Sequence, residues 1–285
     1  MNAQNTINAQ NTSLPSSVYG PVYSWRVGWS LGIDMLLETS TCSFNCIYCQ
    51  LGDIQQKTNL RRVYVPTQKL QSDFLKSDWQ KADIITFSGN GEPTLAENIG
   101  DVIAWLKTQC DKPIMVLTNG TQLENPAVRQ ALLPADIVAI KLDAGTEAGL
   151  QQMNRPVSGV SLAGILAGAR LFKADYKAAN PTAKLVLQCM FMPTNQAELA
   201  AMGALIGELQ PDEVQLNTPK RPYPMRWTVE NRGNHPATDA FCQSTGLSSA
   251  DTRTLKTVDE TAASHIETTL RQYSPETVIT SIYRV

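Results

Sequence analysis

Thr41-Cys42-Ser43-Phe44-Asn45-Cys46-Ile47-Tyr48-Cys49 places three thiols within eight positions, in a C-x3-C-x2-C spacing. The loop directly follows a strand-like run, Leu31 to Leu37, and so belongs at the C-terminal end of a strand. That is where parallel α/β barrels carry their chemistry. A structural zinc centre takes a fourth Cys or His. The two histidines, His235 and His265, and the other thiols, Cys110, Cys189 and Cys242, all lie far along the chain. Three thiolates on a four-iron cluster leave one iron open to an outside ligand. On spacing alone, a zinc-site remnant and three unrelated core thiols compete with that reading.

Outward from this loop, short β-rich runs alternate with amphipathic stretches. The runs are Leu31 to Leu37, Asp83 to Ser88, Pro113 to Thr118, Ile137 to Leu142, Leu185 to Met192 and Glu213 to Asn217. Helices are predicted near 67–79, 95–109, 124–133, 146–153, 160–174 and 195–209. In the fifth, Leu162, Ile165, Leu166, Ala169 and Phe172 share one face at the helical period. Such alternation argues for a parallel sheet with right-handed crossovers. Six units are visible where a full barrel has eight, so the fold class is α/β, a partial (β/α)6 TIM-like barrel over 18–217, open on one side. Residues 218–285 form a C-terminal extension: a loop rich in Pro and Arg, a helix near 259–272 and a last strand near 277–283, packed on the barrel without a domain boundary. Residues 1–17 repeat NAQNT and have almost no apolar side chains, so a disordered tail is expected.

The chain has 285 residues, 42% hydrophobic and 18% charged, which excludes wholesale disorder. Its 24 Lys and Arg nearly cancel 26 Asp and Glu. No whole-protein basic footprint for nucleic acid follows, and DNA is not expected as a partner. No apolar run approaches the ~20 residues of a membrane helix. No basic start leads into an apolar core, so a cytoplasmic, membrane-free protein is expected.

Three further motifs fall at strand ends. Ser88-Gly89-Asn90-Gly91-Glu92-Pro93 ends the second run; its glycines let backbone approach a ligand closely, and its carboxylate suits an ammonium group. A tight turn is the plainer reading. Thr118-Asn119-Gly120 ends the third run, as a site loop or a helix cap. In the fourth, Val138, Ile140 and Leu142 share one face, and Ile137, Ala139, Lys141 and Asp143 the other. A Lys and an Asp aimed into a barrel are costly unless paired or working. On the sixth run Glu213, Gln215 and Asn217 point inward by the same count. Lys220, Arg221, Arg226 and Arg232 interleave with Tyr223 and Trp227, as a phosphate or RNA patch, a solvated loop, or a cover over the open mouth.

The segments SLGIDMLLETSTCSFNCIYCQLG, FSGNGEPTL, KLDAG with the later NRP, and VQLNTPKRP resemble the radical SAM superfamily, in particular the group related to wyosine-type tRNA synthases. The resemblance implies that Cys42, Cys46 and Cys49 hold a [4Fe–4S] cluster whose open iron chelates S-adenosylmethionine. It implies that Tyr48 borders the adenine and that Gly89, Asn90, Gly91, Glu92 and Asn119 bind the cofactor. Lys141 and Asp143 are then the catalytic candidates, Asn217 and Arg221 the substrate contacts. A flavodoxin- or ferredoxin-type protein would deliver one electron, and the substrate would be a small molecule or a tRNA. Wyosine synthases carry a second cluster on cysteines ahead of the signature loop, whereas no Cys precedes Cys42 here. A non-catalytic Fe–S or zinc module is the rival from another class.

Overall fold

The computed structural model describes residues 15–232 and 251–284. One eight-stranded sheet organises them, made of β1 (Val18–Ser24), β2 (Gly28–Ile33), β3 (Ile84–Phe87), β4 (Ile114–Thr118), β5 (Ile137–Lys141), β6 (Lys184–Met190), β7 (Glu213–Asn217) and β8 (Val278–Ser281). Neighbours follow chain order, so the sheet is an open, curled half-barrel of the partial TIM type. Strands β2 to β8 run parallel, and β1 returns antiparallel on β2. Helices α1 (Thr67–Leu75), α2 (Ile99–Gln109), α3 (Pro126–Leu132), α4 (Glu147–Met153), α5 (Leu162–Ala179), α6 (Leu199–Leu209) and α7 (Glu260–Tyr273) fill the crossovers. The six expected β/α units are present, and the C-terminal strand joins the same sheet, with Val278 opposite Glu213.

Burial on both faces explains why strands such as Ile84-Ile85-Thr86-Phe87 read as almost continuous apolar runs. The faces still differ. Leu31, Phe87, Val116, Ile140 and Leu187 join helix residues such as Ile103 and Phe172 in the main core. Ile84, Met115, Ala139 and Val186 form a smaller inner layer, onto which Val27 packs from the β1–β2 turn. Helix α5 shows how its sequence sets its place. The Ser161 hydroxyl caps it, accepting from Gly164 N at 3.1 Å. Its apolar stripe is buried as the period requires, and Phe172 stacks on Tyr176 at 4.7 Å. Burying one such aromatic stabilises the fold by roughly 1.5–3 kcal/mol.

Strand β1 had no expectation attached to it. Pro21 lacks a backbone donor, and the β1–β2 register shifts between Tyr19 and Val22. Residues 1–14 of the expected tail lie outside the described residues, but its last part is docked: Ser17 N and Oγ both donate to Asp73 Oδ2 at 2.8 Å. No helix among the described residues is long and apolar enough to cross a membrane.

Candidate active site at the mouth of the half-barrel

The cysteine loop stands on Asp34, the residue that follows β2. Its Oδ1 accepts from Leu36 N and Leu37 N at 3.0 and 3.2 Å, which turns the chain, and Oδ2 accepts from Asn90 Nδ2 at 2.7 Å and Arg232 at 3.0 Å. Beyond the turn, Thr41 is stitched to the loop after β3: Thr41 N donates to Asn90 O at 2.8 Å, and Glu92 N to Thr41 O at 3.1 Å. Two glycines make this approach possible. Gly89 and Gly91 have φ of 135° and 143°. A Cβ at Gly91 would collide with the Thr41 carbonyl, and one at Gly89 would meet the Asp34 carboxylate. On its far side the cysteine loop is held by α4's end, where Asn45 N donates to Asn154 O at 2.8 Å and Ile47 N to Met153 O at 3.0 Å.

All three thiols are free and line one cavity of about 440 Å³ inside the strand ends. That size is ordinary for a small-molecule site. Cys42 Sγ accepts from Phe44 N at 3.4 Å and Cys46 Sγ from Asn154 Nδ2 at 3.4 Å. Burial pushes all three thiols up, Cys46 to about 11, Cys49 to about 12 and Cys42 well above its usual range, and a charge on Cys46 disfavours one on Cys42 or Cys49. A bound cation is what would draw three thiolates from such a site. Among the described residues no three metal-binding side chains converge on a point as a single ion needs. A cluster asks for a different arrangement, since each of three irons takes its own thiolate and the sulfurs surround a volume. Soft sulfur donors around a cavity fit that group.

Glu92 is buried and lines the same cavity. Its Oε1 accepts from Thr94 N, Thr94 Oγ1 and Thr118 Oγ1 at 3.0, 2.6 and 2.7 Å; Oε2 accepts from Asn119 N at 2.6 Å. Oε1 is saturated, while Oε2 keeps acceptor capacity for a ligand. Burial raises the Glu92 carboxyl although these donors oppose it. Asn119 Nδ2 donates to Ser43 Oγ at 2.8 Å, tying the β4 loop to the cysteine loop.

Asp143 is the hub on the opposite side. Its Oδ1 accepts from Met190 N at 2.7 Å and pairs with Lys141 Nζ at 3.1 Å; Oδ2 accepts from Asn154 Nδ2 at 2.8 Å and from the Tyr48 hydroxyl. Burial raises the Tyr48 phenol well above its usual range, so it stays a donor. Lys141 Nζ also lies 5.3 Å from the Tyr48 ring centroid. The structure thus brings Cys42, Cys46, Cys49, Tyr48, Gly89, Gly91, Glu92, Asn119, Lys141, Asn217 and Arg221 to one cavity wall. Asp143 acts one layer behind it. Asn90 departs from its expectation as a cofactor contact: its side chain faces away, donating to Asp34 and to Leu37 O and accepting from Trp227 Nε1 at 3.2 Å. Asn195, at the N-cap position before Gln196–Glu198, spends its side chain on tying Asp143 O to Met190 O, donating from Nδ2 at 2.8 and 2.9 Å. The arginines of the 220s and 230s also part company. Both line the cavity, but Arg232 is buried on Asp34, whereas Arg221 bonds Gln50 Oε1 beside the cysteine loop. Arg26, on the cavity wall from the β1–β2 turn, carried no motif and was missed. His235 and Cys242 lie outside the described residues.

A parallel half-barrel with three free thiols and a glycine-flanked carboxylate at its strand ends defines a class of protein. Residues 38–181 match the radical SAM superfamily, and the chain belongs to it. A UPF0026 protein of Synechocystis sp. is 42% identical over 228 residues, covering 80% of this chain and 84% of that one. Two solved structures share the fold. TYW1 with a lysine–pyruvate adduct bound has a TM-score of 0.57 at 12% identity, over 87% of this chain and 76% of that chain. Streptococcus suis SuiB bound to S-adenosylmethionine has 0.56 at 11%, over 85% and 48%. Membership implies S-adenosylmethionine and an iron–sulfur cluster, and the sulfur donors here fit one.

Proposed function

We propose that this chain is a radical SAM enzyme in which Cys42, Cys46 and Cys49 hold a [4Fe–4S] cluster and Glu92 Oε2 receives the ammonium of S-adenosylmethionine. When bound and reduced by one electron, cluster and cofactor would together supply methionine and a 5′-deoxyadenosyl radical able to abstract hydrogen. The observation that carries the reading is the convergence of three free thiols and the Glu92 loop on one cavity. The chain's own residues do the rest. Asn119 and Asn154 orient the sulfur loop, Gly89 and Gly91 let the Glu92 backbone approach it, and Asp143 holds the Lys141 ammonium at the wall. Asn217 and Arg221 contact the substrate, and the segment that carries Arg221 and Trp227 covers the mouth against water. A flavodoxin- or ferredoxin-type donor supplies the electron.

Anaerobic reconstitution tests this. About four irons per chain, an electron paramagnetic resonance change on adding S-adenosylmethionine, and 5′-deoxyadenosine release with dithionite are expected. Cys46→Ala should abolish all three; deoxyadenosine formation by that variant would sink the assignment. Zinc, or a cluster indifferent to S-adenosylmethionine, would mark a non-catalytic module. A second reading, modification of tRNA, is supported by Lys141 on the cavity wall beside the fold likeness to TYW1, whose structure holds a lysine–pyruvate adduct. It predicts retention of bulk tRNA at low salt, lost steeply as salt rises.

A further inference from the structure

Asn154 ends α4 with both main-chain groups committed. Its N–H donates to Leu150 O at 2.9 Å, and its carbonyl accepts from Asn45 N at 2.8 Å. Arg155 then takes a φ of 47°, left-handed for a non-glycine residue, and its N–H also reaches Leu150 O, at 3.1 Å. The helix end is thereby pinned against the cysteine loop, and Pro156 cannot continue the helix. The Asn154 side chain is left buried beside that loop.

Three acceptors surround its amide nitrogen: Asp143 Oδ2 at 2.8 Å, the Tyr48 hydroxyl at 3.2 Å and Cys46 Sγ at 3.4 Å. An amide nitrogen has two hydrogens to share among them. The Asp143 carboxylate, paired with Lys141, takes one and fixes which way the amide faces. The second falls between Tyr48 and Cys46. The Tyr48 hydroxyl spends its own hydrogen on Asp143, and its oxygen is a neutral acceptor. A metal-bound thiolate carries charge, and a charged acceptor takes the stronger bond.

Cys42 is served differently. Its Sγ has a main-chain donor, Phe44 N at 3.4 Å, while the Asn119 amide stands at 3.6 Å and gives its closer bond to Ser43 Oγ at 2.8 Å. A main-chain donor belongs to the loop itself. The donor at Cys46 comes instead from a side chain more than a hundred positions away, one that also holds Asp143.

We propose that Asn154 is a positioning residue that sets the reduction potential of the cluster through its N–H on Cys46. This rests on the radical SAM reading and goes beyond orientation of the loop. One electron passes from the protein donor, which is oxidised, to the cluster, which is reduced, and no bond forms or breaks. The added charge spreads onto the ligand sulfurs. A donor aimed at one of them stabilises the reduced form more than the oxidised form and raises the potential.

An anaerobic redox titration of the reconstituted full chain, followed by electron paramagnetic resonance without S-adenosylmethionine, decides it. Asn154→Leu keeps the volume and removes the donor; Asn154→Ser removes its reach without adding an apolar group. Both should hold about four irons per chain. In both, reduction should be disfavoured about tenfold relative to wild type, a midpoint about 59 mV lower for one electron. Asn45→Ala is the structural control. The Asn45 side chain bonds Asp53 Oδ1 at 2.7 Å and Ile54 N at 3.0 Å within the same loop and touches no sulfur. That variant should lower Tm and leave the midpoint in place. An unchanged midpoint in the Asn154 variants, or an equal shift in Asn45→Ala, would overturn the proposal. Loss of iron from both Asn154 variants would make Asn154 an assembly residue and overturn it too; if one variant keeps its iron, that one decides. A wild type that assembles no cluster removes the radical SAM reading and this proposal with it, whereas a wild-type cluster indifferent to Asn154 removes this proposal alone.

Discussion

On the outward face of the sheet, Leu31, Phe87, Val116, Ile140 and Leu187 lie sealed against helices. One residue along, the same strands present Ser30, Thr86, Lys141 and Gln188 to the cavity. These five outer residues bring no polar side chain to satisfy, and their packing carries stability. The inner face pairs its polar groups across strands: Ser30 with Thr86 at 2.7 Å, and Gln188 with Gln215 at 2.9 Å. The buried Nε atoms of Arg26 and Arg232, both residues of the cavity wall, lack such a partner. The pleat therefore separates two jobs within single strands, and the two faces should answer mutation differently.

Phe172→Ala, on the outer side, should cost about 3–5 kcal/mol in chemical denaturation through the cavity it leaves. Its folded fraction should still bind iron normally. A cost below about 1 kcal/mol would mean that the outer layer is not the stabilising one. Gln188→Leu, on the inner side, should cost less, about 1–3 kcal/mol, by stranding the Gln215 amide. Arg26→Gln reverses the sign. The native-state pKa of Arg26 lies below its unfolded value, so the charge works against folding at neutral pH and that cost fades as pH rises through about 10. The stability gain of Arg26→Gln over wild type should therefore shrink between pH 8 and pH 11 (about one to two units either side of that titration). The smallest effect belongs to the solvent-facing side of the helices. Arg170 pairs with Glu208 at 2.7 Å with both side chains substantially exposed, and Glu208→Gln should change stability by under about 1 kcal/mol.

Much of this division was legible along the chain. In Ile137 to Asp143 the period-two alternation separates core residues from Lys141 and Asp143, because the two faces differ in chemistry and not merely in degree of burial. The cysteine spacing marked one strand end and Ser88 to Pro93 the next. Strand β1 was illegible, since Gly20-Pro21 interrupts its pattern and Trp25-Arg26-Val27 carries none of the usual turn residues. Asn90 shows a second limit. It stands between two glycines whose positive φ turns its side chain toward Asp34, away from the cavity that its neighbours line. Arg221 and Arg232 look interchangeable in one dimension. Only the fold reveals that one is committed to Asp34 and the other bonded to Gln50 beside the cysteine loop.

The Asp34 carboxylate, on which the cysteine loop stands, draws its counter-charge from a residue 198 positions later. A nascent chain that has emerged only as far as the thiols holds that acid without its guanidinium. The footing is completed only once Arg232 has been made, long after the thiols. A messenger cut short ahead of Arg232 would yield thiols on a loop that never sets.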